Sequence, residues 1–110
     1  MKEVALYLTD MSIEDFLTYM KLLDDYLIKR GINRSLIHYY TTTIRDENGI
    51  VVAKRNLAKM VSKIKNNQIQ MVIIYDKKYP TIDKNELEHI KKSTDEYKIP
   101  FVSLVENNNF

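Results

Sequence analysis

Met71-Val72-Ile73-Ile74-Tyr75 is the stretch that decides the fold. Five apolar residues in a row, three of them β-branched, fit a strand covered on both faces. On its amino side Leu57, Met60, Val61 and Ile64 recur at helical spacing, which predicts a helix over about 54–66, ended by Asn66-Asn67. On its carboxyl side Asp83 and Glu86 form a capping-box pattern ahead of Leu87, Ile90 and Tyr97. That predicts a helix over about 84–97, stopped by Ile99-Pro100, with Phe101-Val102-Ser103-Leu104-Val105 as a further strand.

The same alternation extends back to the amino terminus. Val4-Ala5-Leu6-Tyr7-Leu8 reads as another strand buried on both faces. Ser12 offers an N-cap with Asp15 three residues on, and Lys29-Arg30-Gly31 suits a helix end, so a helix is predicted over 13–30. Its inner face is expected to be Ile13, Phe16, Leu17, Met20, Leu23 and Leu27. Ser35 to Thr42, with Leu36, Ile37, Tyr39 and Tyr40 among polar residues, suits an edge strand, and Arg45-Asp46-Glu47-Asn48-Gly49 a polar turn. The order is βαβαβαβ, an α/β fold with a parallel sheet, helices on both faces and right-handed crossovers. No repeat, low-complexity segment or linker divides residues 1–110, so one domain is expected.

Composition narrows the function classes. The chain has 110 residues, 45% of them hydrophobic, and no cysteine, which excludes disulfides and thiolate metal sites. Its apolar runs are far shorter than the ~20 residues a membrane span needs, and Met1-Lys2-Glu3-Val4 does not read as a signal peptide. A cytoplasmic protein with no membrane association is therefore the expectation. The net charge of +2 is unevenly spread: residues 1–26 hold two lysines against six acids, a net of −4, which leaves +6 for the rest. Residues 51–70 contain Lys54, Arg55, Lys59, Lys63 and Lys65 and no acid. Arg55, Lys59 and Lys63 recur every four residues, so on a helix they stack along one face. Such a face reads either as an ordinary solvated surface or as a stripe for weak, non-specific phosphate contacts.

Ligands of open α/β sheets bind beyond the carboxyl ends of the strands. Those ends are Thr9-Asp10-Met11-Ser12, Asp76-Lys77-Lys78-Tyr79 and Glu106. None is glycine-rich, so neither a P-loop nor a dinucleotide fingerprint is present, and no cofactor is expected. His38 and His89 stand apart and fit structural or solvated roles, and no pair of ligands has metal-binding spacing. Asp10 and Asp76 fall at strand ends as a weak acidic pair, with Lys77-Lys78 beside Asp76. Asp76 also ends the third strand, where receiver-type phosphoacceptor domains place their aspartate, but only Asp10 of the usual acidic pair is there.

Taken in order, Val4-Ala5-Leu6-Tyr7-Leu8, the adjacent Ser12, the helix ending in Arg30-Gly31 and the tyrosine-rich second strand resemble the catalytic domain of serine recombinases, the resolvase/invertase family. Lys54-Arg55-Asn56-Leu57 looks like that family's Arg-Pro-x-Leu helix start. Ile73-Ile74-Tyr75 looks like its third strand, and Ile99-Pro100-Phe101-Val102-Ser103-Leu104-Val105-Glu106 like its last. The resemblance covers about residues 3–106 and implies a three-layer fold with a mainly parallel four-stranded sheet in the order 2-1-3-4.

It implies much less about chemistry, because the residues that carry the family's reaction are replaced. Thr9 stands at the position of the first arginine and Met11 at that of the nucleophile, with Ser12 one residue late. Lys78 and Tyr79 take the place of an Asp-Arg pair, and Ile82 that of a later arginine. Only Lys54 or Arg55 is a cation in a family position, whereas strand cleavage needs a hydroxyl nucleophile with several cations around the phosphate. Nothing corresponds to the family's further helix or its separate DNA-binding domain. The expected function is therefore a catalytically inactive resolvase-like domain that acts by binding, as a homodimer or with a recombinase-like partner, in DNA recombination or a mobile element. The alternatives are a divergent recombinase fragment cleaving DNA with Ser12, and a basic nucleic-acid-binding module using Lys54, Arg55, Lys59 and Lys63.

Overall fold

A computed structural model describes residues 2–41, 44–53 and 56–107. In chain order the elements are β1 (Glu3–Leu8), α1 (Ile13–Arg30), a 3₁₀ turn (Arg34–Leu36), β2 (Ile37–Thr41), β3 (Ile44–Arg45), β4 (Val51–Ala53), α2 (Leu57–Lys65), β5 (Ile69–Ile74), α3 (Lys84–Glu96), β6 (Phe101–Ser103) and α4 (Leu104–Asn107). Four strands form one parallel sheet in the order β2-β1-β5-β6, which is the predicted 2-1-3-4 arrangement of the main strands. Val4 lies level with Ile37 on β2 and with Met71 on β5, so β1 and β5 occupy the centre and the polar, aromatic β2 an edge.

The alternation of side chains along the strands divides the interior into two cores. Ala5, Tyr7, Val72 and Ile74 face α2 and α3, packing against Leu57, Met60, Val61, Ile64, Leu87 and Ile90. Val4, Leu6, Ile73 and Val102 face the other way, against Tyr19, Leu23, Leu27 and Leu104. The result is three layers, helix–sheet–helix. Each wholly buried leucine or isoleucine contributes roughly 1.5–3 kcal/mol relative to exposure. Among the described residues no helix is long and apolar enough to cross a membrane.

Several expectations are corrected. The inner face of α1 is centred on Tyr19, Leu23 and Leu27, while Ile13, Phe16 and Leu17 are exposed, Ile13 at 79%. The helix is turned because Tyr19 can be buried at little cost: its hydroxyl donates to the Tyr7 carbonyl at 2.8 Å. In α3, Leu87 and Ile90 are buried as expected, but Tyr97 lies half out of the core at the helix end. Asp83 caps the helix as expected, its Oδ1 accepting from Asn85 and Glu86 N–H, while the Glu86 carboxylate points inward and accepts from the Tyr7 hydroxyl at 3.0 Å. The last strand stops at Ser103 rather than Val105, since β5 ends at Ile74 and offers no further ladder. The chain turns instead into α4, burying Leu104 against the α1 side, and Val105 N–H donates to the Tyr75 carbonyl at 3.0 Å.

The polar turn at 45–49 is the tip of an antiparallel hairpin, β3 with β4, that the sequence reading missed. Asp46 builds it, its Oδ1 accepting from both Asn48 and Ile50 N–H at 2.9 Å. The second helix is found over Leu57–Lys65; Lys54 and Arg55 lie outside the described residues. Asn56 ties its start to the sheet, accepting through Oδ1 from Thr41 N–H at 2.6 Å.

Candidate functional site

The carboxyl ends of β1 and β5 lie side by side at one end of the sheet, and Thr9, Met11, Asp76 and Tyr79 gather there. Thr9 follows β1 directly and is buried, its hydroxyl 3.0 Å from that of Thr81. Thr81 also donates to the Asp10 carbonyl, so the loop before α3 is tied across the end of β1. Met11 tucks partly under α1. Ser12 is the N-cap of α1: its Oγ accepts from Asp15 N–H at 3.1 Å.

Beyond β5 the chain folds into a turn held by Asp76, whose carbonyl accepts from Tyr79 N–H at 3.0 Å and whose Oδ1 accepts from Lys78 N–H at 2.9 Å. Tyr79 swings back over α1 and donates its hydroxyl to Asp15. Hydrogen bonding to that carboxylate raises the Tyr79 pKa above the ordinary tyrosine value. Tyr75 lies between two other rings, its centroid 5.3 Å from Tyr19 and 5.7 Å from Tyr79. Ile82 packs into the α2/α3 core, and Lys78 is exposed.

The space left among Tyr7, Thr9, Met11, Tyr75, Asp76 and Tyr79 is about 10 Å³, room for one water molecule. Threonines, tyrosines and methionine fill this end of β1 and β5, and neither Lys nor Arg lines the space among them. Ser12 Oγ is committed to the helix, and no group of three His, Cys, Asp or Glu side chains is placed to hold a metal among the described residues. Asp10 and Asp76 belong to separate turns, and the Lys77 ammonium pairs with Glu106 at 3.2 Å.

The opposite end of the sheet holds a polar cluster that the sequence reading did not identify. Glu3 opens β1 and meets Lys63 of α2, with Nζ 3.0 Å from Oε2, and accepts from the Tyr40 hydroxyl of β2. His38 Nδ1 stands 3.9 Å from the same carboxylate oxygen. Burial alone would raise the Glu3 pKa, but the bonds from Tyr40 and Lys63, with the nearby His38 and Lys63 charges, hold it below the ordinary value. Burial, followed by the bond to Glu3, pushes Tyr40 up to about 12. The bond to Glu3 likewise raises Lys63. Beside the cluster is an open depression of about 600 Å³ lined by Lys2, Glu3, Ser35, His38 and Lys63, among others.

This pairing redistributes the expected basic stripe. Lys63 is bound to Glu3, Lys59 remains exposed one turn earlier, and Lys54 and Arg55 lie outside the described residues. The signal missed in the sequence was Glu3 itself, an acid opening an otherwise apolar strand and needing a partner once that end of the sheet was covered.

The chain matches no family model and no curated protein. The architecture is an α/β sheet that many functions share, and it assigns no family by itself.

Proposed function

We propose that the chain is a catalytically inactive resolvase-like domain that works by binding a protein partner, in a setting linked to DNA recombination. The observation that carries this reading is the closed strand end. About 10 Å³ among Tyr7, Thr9, Met11, Tyr75, Asp76 and Tyr79 admits no phosphodiester, and Ser12 Oγ is spent on Asp15 N–H. A second support is where the apolar surface lies. Ile13, Leu17 and Ile28 of α1 are 79%, 62% and 78% exposed, and Phe16 lies beside them, more than scattered surface hydrophobics account for.

Nicking of supercoiled plasmid, with and without Mg²⁺, tests the reading against the alternative in which Ser12 cleaves DNA. Neither the wild-type chain nor Ser12→Ala is expected to cut. Ser12→Ala is expected to lose about 1 kcal/mol of unfolding free energy in urea, the usual worth of an N-cap. Cleavage by the wild-type chain that disappears in Ser12→Ala would overturn the proposal.

A further inference from the structure

The exposed face of α1 has an order of its own. At about 100° per residue, Ile13, Leu17, Asp24 and Ile28 fall within roughly 60° of one another, beside the buried line of Tyr19, Leu23 and Leu27. The helix therefore has an apolar sector about twice as wide as the sheet can cover, and the outer half faces solvent. Asp24 interrupts that half but is neutralised by Arg34. Along its polar margin run Glu14, Lys21, Asp25 and Lys29, alternating in sign, with the acids Glu14 and Asp15 in the first turn and the bases Lys29 and Arg30 in the last.

We infer that the occupant of this face is a second copy of the same chain, with the two α1 helices packed antiparallel about a two-fold axis near Met20 and Lys21. The inference rests on the binding reading above and names its partner. Charge complementarity selects both the copy and the direction. Antiparallel packing sets Glu14 of each chain against Lys29 of the other, twice over, and Ile13 against Ile28, with Lys21 beside its own copy as the like-charged pair that opposes it. Parallel packing would set Glu14 against Glu14 and Lys29 against Lys29. Such an interface is isologous, closed by one rotation, and covers both apolar stripes at once. It uses a helix of 18 residues, about 27 Å long, which offers several turns of contact.

The chain has no cysteine, so single cysteines report the geometry directly. Sedimentation velocity over a concentration series is expected to approach twice the 13.1 kDa chain mass. Leu17→Glu, at an exposed position that leaves the fold intact by circular dichroism, is expected to weaken association by roughly tenfold or more. Glu14→Lys is expected to weaken it several-fold, and Glu14→Lys with Lys29→Glu to recover it. With a short bis-maleimide, Lys21→Cys should link to itself. Ile13→Cys and Ile28→Cys should link when mixed but neither alone. Self-linking of both end variants without mixed product would overturn the antiparallel arrangement. A monomer at every concentration would overturn the dimer while leaving the non-catalytic reading standing, whereas Ser12-dependent plasmid nicking would sink that reading without touching the dimer.

Discussion

Glu3 shows how one side chain links three elements. Its carboxylate collects Tyr40 of β2, Lys63 of α2 and the edge histidine His38, so a charge at the rim of the sheet is held by partners on two sides. Those partners hold the pKa of Glu3 below its ordinary 4.5, which fixes the sign of the pH effect. The stability it adds is present above about pH 4.5 and is lost as the pH falls through the lower folded-state value. Glu3→Gln is expected to be less stable than the wild-type chain at neutral pH, with the difference narrowing in acid. Urea midpoints between about pH 3 and pH 7 check this, and a difference that widens in acid would contradict it. Tyr19 is the second informative residue. Its hydroxyl, bonded to the Tyr7 carbonyl, lets a tyrosine absent from the expected inner face stand at the centre of a core.

At the scale of elements, α1 shows which local signals survive folding. Its bounds follow from Ser12 and Gly31, both legible in the sequence. Gly31 sits at φ 63° and ψ 30°, the left-handed region, and closes the helix with its N–H bonded to the Ile28 carbonyl at 3.2 Å. No neighbouring atom lies within 4 Å of where a Cβ would stand, so a substitution there is opposed by the backbone alone. Gly31→Ala is expected to cost about 1–2 kcal/mol in urea unfolding and Gly31→Asn less, because asparagine tolerates that region. An equal loss for both would point to a packing cause instead. The face of α1 was harder to read than its ends. An apolar sector spanning about half the helix fits more than one orientation, and burial of Tyr19 selects among them.

For the whole molecule, the charge contrast matters more than the net +2. An acidic amino-terminal segment and a basic stretch at 51–70 suit a partner surface, yet the structure partly cancels them by joining Lys63 to Glu3. With Lys63 engaged, few phosphate contacts are expected from that face. Fluorescence anisotropy against a generic duplex at several salt concentrations should show weak binding, with a slope of log K against log salt no steeper than about −2. A slope near −5 would restore the basic module as the better reading. The carboxyl ends of β1 and β5 are thus filled by tyrosines, whereas the Glu3 cluster at the amino end borders an open depression.

Local patterns in the chain carry the α/β alternation, the ends of α1, a buried strand through residues 71–74 and the edge position of β2. Each of these rests on interactions within a few residues or on runs of apolar side chains, which one chain displays directly. Only the tertiary structure decided which face of α1 is buried, that Glu86 turns inward to Tyr7, that the final strand gives way to α4, and that Glu3 binds Lys63. Glu3 and Lys63 are 60 positions apart, and Tyr7 and Glu86 are 79. Partners at such separations are chosen by the packing of layers and by the need of buried polar groups for a bond, neither of which leaves a local pattern.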